Sequence, residues 1–157
     1  MTYQDAVMGR IVELQALGKL RILNKGSSRL WRLLGWFSDD QMHMWWTVYR
    51  LPFGRAVMAH PPGADIRQEW KLANHELYHV EWMLNWWGPW VLLPLYFLVP
   101  LPVWFSGRWF IERGAYLRDL ETDRLTIDQC IDFLWRRYAM AWPKGKMRAW
   151  LEREVAL

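Results

Sequence analysis

The residues best suited to chemistry lie in one run, Asn74-His75-Glu76-Leu77-Tyr78-His79-Val80, which contains His-Glu-x-x-His. On an α-helix, residues four apart share a face about one turn, or ~6 Å, along the axis, so two imidazoles can bind one metal ion. Glu76 is rotated about 100° from its neighbour His75, so it can flank the ion without ligating it. That position suits a general base acting on zinc-bound water, whose pKa the ion lowers to about 7. The bland alternative is a buried helix whose two histidines bond to backbone or carboxylates. It leaves the intervening Glu unexplained.

A catalytic zinc needs a third protein ligand and an open position. The other histidines, His43 and His60, both precede the motif, and the sole cysteine, Cys130, is a lone soft ligand. Glu112 is the better candidate. It lies downstream in Phe110-Ile111-Glu112-Arg113-Gly114-Ala115-Tyr116, on a stretch that reads as a second helix.

With that second motif the chain resembles the gluzincins, zinc metallopeptidases whose third ligand is a Glu on a helix downstream of His-Glu-x-x-His. Their second motif often reads Glu-x-x-Ala-Asp or Glu-x-x-x-Asp. Here Tyr116 stands where the Asp would be, and Asp119 follows about one turn later. More closely, the arrangement is similar to small, largely uncharacterised bacterial and phage gluzincin-like proteins. In those, a Gly-Pro-aromatic apolar segment and then Glu-Arg-x-Ala-Tyr follow the first motif. The resemblance covers residues 69–119. It implies one zinc per chain held by His75, His79 and Glu112, with Glu76 as base. A metal-bound His usually donates its other N–H to a carboxylate or carbonyl, and Asp119 is the candidate for that task. Tyr116, Tyr138 or an Arg could supply the donor that a tetrahedral oxyanion needs, the alternative for each Tyr being a half-buried residue with its hydroxyl in water.

These residues need elements to position them. Residues 65–87 contain no Pro or Gly until Gly88 and follow Pro61-Pro62-Gly63, so a helix is expected there. Residues 3 to about 23 read as an amphipathic helix on the spacing of Val7, Ile11, Leu14, Leu17 and Leu20. Lys25-Gly26-Ser27-Ser28 is a break, and residues 29–37 (Arg29 to Phe37) form a short basic and aromatic helix. Met42 to Tyr49 and Arg55 to His60 read as strands around the turn Leu51-Pro52-Phe53-Gly54. In the resembled fold, a small sheet lies beside the metal helix, and its edge strand can hold an extended substrate, with His60 near the cleft. A second metal helix is expected over Arg108 to about Leu120. A third begins at the capping box Thr126-Ile127-Asp128-Gln129, runs to about Met140 and turns Ile127, Ile131, Leu134 and Tyr138 inward. A last helix covers Lys146 to Val155. The fold class expected is α+β, mainly α: a zincin-like single domain over 1–157 with a small β-sheet beside the metal-binding helix.

Residues 82–107 carry no charge and are long enough to suggest a membrane span. Pro89, Pro94, Pro100 and Pro102 break the run. A single span would also separate its ends by ~30 Å, whereas His79 and Glu112 must meet if they share an ion. A helical hairpin, buried or dipped into one leaflet, satisfies both requirements.

Of the 157 residues, 14 are Trp, more aromatic surface than folding requires, which points to contact with a membrane, a partner or a ligand. The net charge of +4 permits phosphate binding, but no nucleic-acid signature accompanies it. One cysteine rules out an internal disulfide framework and fits a reducing compartment. The polar N-terminal residues carry no secretory signal, so a cytoplasmic location is expected, with membrane association as an option. The activity expected is hydrolysis of a peptide or protein substrate by a zinc metallopeptidase. The alternative is a membrane-surface or virion structural protein with a structural or vestigial metal site, touching lipid through 82–107 and 29–37.

Overall fold

The computed structural model describes residues 2–37, 40–50, 55–85, 107–137 and 143–156. The chain divides into two compact units, Met1–Trp86 and Trp87–Leu157. Among the described residues the secondary structure is mainly helical with one small sheet, an α+β composition.

The first unit opens with α1, Tyr3–Ala16, whose start is fixed by a capping box. The Thr2 hydroxyl accepts from the Asp5 N–H at 3.1 Å, and the Asp5 carboxylate accepts from the Thr2 N–H at 2.8 Å. Val7, Ile11 and Leu14 form the buried stripe. The helix ends earlier than the spacing of its leucines suggests. Gly18 adopts φ +66°, and the Lys19 N–H turns back to the Leu14 carbonyl at 2.9 Å. Leu17 is therefore 58% exposed, while Leu20 is buried as the first residue of β1, Leu20–Asn24. A helix continuing to residue 23 is thus corrected to a helix, a glycine stop and a strand.

After a single 3-10 turn at Lys25–Ser27 come α2, Arg29–Phe37, and the short α3, Asp40–His43. Strands β2, Trp46–Arg50, and β3, Arg55–His60, complete a three-stranded sheet in the order β1-β3-β2. β1 runs parallel to β3, with Leu20 opposite Ala56 and Asn24 opposite His60; β2 is antiparallel, with Trp46 opposite Ala59. The strand expected from Met42 begins only at Trp46. Met42 is drawn into α3 against Gly35, where an added Cβ would lie 2.5 Å from the Met42 side chain. The Met44 carbonyl faces Lys25 instead of a neighbouring strand.

Helix α4, Trp70–Asn85, lies against β2, β3 and α1. Its Ala73, Leu77 and Val80 close a core with Val7, Ile11, Leu14, Leu20, Trp45, Ala56 and Met58. Arg10 of α1 ties the helix further, donating to Glu81 at 2.8 Å.

The second unit comprises α5, Gly107–Glu121, α6, Ile127–Arg137, and α7, Lys144–Val155. The expected capping box is present at α6. The Thr126 N–H donates to Gln129 Oε1 at 2.8 Å, and the Gln129 N–H donates to Thr126 Oγ1 at 3.3 Å. Tyr116, Cys130, Ile131, Leu134, Met147 and Leu151 form the core, with Ile127 packed at its margin. No helix among the described residues is long and apolar enough to cross a membrane. Of the hairpin expected over 82–107, residues 82–85 belong to α4 and Gly107 begins α5; the remainder, the turn at 51–54 and Tyr138 lie outside the described residues.

Candidate metal centre

At 100° per residue, Ala73, Leu77 and Val80 point one way from α4, and His75 and His79 point almost oppositely. The apolar face is committed to the core, so the histidine face is presented on the other side. Both imidazoles are buried, with ring centroids 5.1 Å apart and planes at 78°. Glu76 falls between the two faces and reaches toward β2. There the Thr47 hydroxyl donates to Glu76 Oε2 at 2.6 Å. The same hydroxyl lies 3.3 Å from the Glu76 carbonyl oxygen, which locks the helix turn to the strand. One carboxylate oxygen of the buried Glu76 is thus held by a short hydrogen bond.

Lys25 is a further buried charge in this unit. Its ammonium donates to the Met44 carbonyl and lies 4.3 Å from the centroid of the Trp31 ring. Burial pulls its pKa down to about 8, and the negative charge of Glu76 pulls it partly back. Neither Thr47 nor Lys25 carries a signal in the sequence. Thr47 is an ordinary strand residue, and Lys25 belongs to a stretch that reads as a polar break.

In the second unit, Glu112, Tyr116 and Asp119 recur at four and three along α5, and all three are buried. Burial, together with the charges of Glu112 and Asp119, raises the Tyr116 pKa far above its usual range, so the residue is a neutral phenol. Asp119 is fully buried and accepts a forked pair of hydrogen bonds from Arg124, the Nε bond at 2.5 Å. Its carbonyl also accepts from the Arg124 N–H at 2.8 Å, so Asp119 closes the turn between α5 and α6.

Three ligand-type side chains come together. One donor atom each from His75, His79 and Glu112 lies within 4.8 Å of the other two, and all three residues are buried. Three ligands of a tetrahedral ion at ~2.1 Å lie ~3.4 Å apart, which falls within that limit. Two imidazoles and a carboxylate are a donor set that suits a divalent ion, and this group could hold one. It is the only such group among the described residues. The other potential ligands lie elsewhere: His43 is exposed on α3. His60 sits at the end of the central strand, not on an edge, and its Nδ1 is 2.9 Å from the Pro61 carbonyl. Cys130 is in the helical core of the second unit, where burial pushes its thiol up to about 12. No family model, curated protein or solved structure matches the chain.

Proposed function

We propose that the protein is a zinc-dependent hydrolase of gluzincin type, acting on peptide bonds in a zincin-like arrangement. The observation that carries this reading is that His75, His79 and Glu112 each offer a ligand atom within 4.8 Å of the others, and that Glu76 follows His75 on α4. Zinc bound by the three residues would supply a Lewis acid and a readily deprotonated water. Glu76 then takes the proton of the attacking water and returns it to the leaving amine. Thr47 supports that role by donating to Oε2, which holds the carboxylate in one orientation. Arg10, through Glu81, and the packing of Ala73, Leu77 and Val80 hold the turn in place.

Metal analysis of four purified forms tests the assignment. The native protein should carry about one zinc per chain and cleave a fluorogenic peptide library. His75→Ala should lose the zinc. Glu112→Ala should bind it more weakly while keeping its helical circular dichroism. Glu76→Gln should keep the zinc and lose hydrolysis. Full metal content in His75→Ala would refute the site, and zinc-loaded native protein inert toward every peptide would refute the activity.

A further inference from the structure

Helix α2 presents two faces with different fates. At 100° per residue, Trp31 and Gly35 fall on one side. Trp31 is buried beneath the Lys25 ammonium, and Gly35 is pressed against Met42 so closely that no Cβ would fit. These contacts fix the rotation of the helix. The opposite arc carries Arg29, Arg32, Leu33 and Trp36 into solvent. Trp36 is 89% exposed and Leu33 55%. Among the described residues neither Arg29 nor Arg32 forms an ion pair, and α2 contains no acidic side chain.

We propose that this arc docks the protein on an anionic lipid surface, independently of any metal bound elsewhere. The pairing is chemical. Tryptophan and leucine can enter the boundary between headgroups and acyl chains, while flanking guanidinium groups stay with the phosphates. Among the described residues a protein partner fits less well, because four side chains on one nine-residue helix fall short of the ~800 Å² per partner of a standard interface. A lipid surface has no such minimum area. Binding through so small a patch is weak and reversible.

The test is sedimentation with vesicles of phosphatidylcholine alone or with 30% phosphatidylglycerol, in about 0.1 M salt, the range where screening is moderate. Native protein should partition onto the anionic vesicles and leave neutral ones largely free. Arg29→Gln with Arg32→Gln should lower partitioning roughly thirtyfold. Trp36→Ser should lower it roughly tenfold. Arg21→Gln, an exposed control outside α2, should change it little. All the altered side chains are exposed, and unchanged circular dichroism would confirm folding. Native protein that ignores anionic vesicles overturns the proposal. So do α2 variants that bind as tightly as native, since the lipid contact would then lie in another part of the chain.

Discussion

In the helical second unit, buried Asp119 finds its counter-charge five residues along the chain, where Arg124 forks onto both carboxylate oxygens. In the mixed first unit, the buried polar groups are joined over longer distances in sequence. Lys25 meets the Met44 carbonyl 19 residues away, and Thr47 meets Glu76 across 29. The first arrangement closes a turn and would survive in almost any packing of α5 and α6. The second exists only once the sheet and α4 have assembled. Burial of polar groups is costly unless they are matched. A match made across the fold fixes Glu76 in one orientation, as the proposed role of general base would require, whereas a match made locally stabilises the chain.

The sharpest way to break this contrast is to alter the central group of each. Glu76→Gln should lower hydrolysis ~10³-fold while leaving zinc content intact. The denaturation midpoint should move little, because the amide can still accept from Thr47. A large loss of stability instead would make Glu76 a structural residue like Asp119. Arg124→Met should do the reverse. It strands a fully buried carboxylate, and breaking such a pair costs about 3 kcal/mol or more, read as a shift in urea unfolding. Asp119→Asn added to Arg124→Met should recover much of that loss. If Asp119→Asn alone also depleted the protein of zinc, Asp119 would be orienting a ligand as well as closing the turn.

Much of this was legible because it is local. His75, Glu76 and His79 sit within five residues on one helix, so spacing alone conveys their shared geometry. Thr126 and Gln129 announce the start of α6 in the same way. Glu112 could be singled out only as an acid on a later helix. The failures are all matters of tertiary context. Leu17 and Leu20 continue a helical spacing that the left-handed Gly18 interrupts, so β1 was hidden. The family resemblance places His60 near an edge strand beside the cleft. The parallel addition of β1 makes β3 central instead. Thr47 and Lys25 have no sequence signature, because their roles depend on what the fold sets beside them.

Thr47 allows a finer test. Thr47→Val keeps the shape of the side chain but removes the donor to Oε2. We expect kcat to fall about tenfold with zinc retained, as for loss of one positioning hydrogen bond of ~1.4 kcal/mol. Thr47→Ser should restore most of it, since the hydroxyl returns. Unchanged kcat in the valine variant would mean that Glu76 needs no external support.

The smallest effects concern the proton balance of the two cores, which should carry opposite signs. Folding lowers the Lys25 pKa from its ordinary 10.5 to about 8. Between those values the unfolded chain holds a proton that the folded one has released, so stability rises with pH. Cys130 is raised from 9.0 to about 12, so above pH 9 the folded protein keeps a proton that the unfolded chain loses, and stability falls. Each slope is bounded at about 1.4 kcal/mol per pH unit and will be partial near the ends of its window. Urea midpoints between pH 8 and 10 should therefore tilt upward in Cys130→Ala relative to native, and downward in Lys25→Met. Glu76→Gln connects this test to the proposed site. Removing the carboxylate withdraws the charge that supports the Lys25 ammonium, so the rise should begin at a lower pH. A rise that began at the native pH in Glu76→Gln would show that burial alone governs Lys25, and that its coupling to the base is negligible.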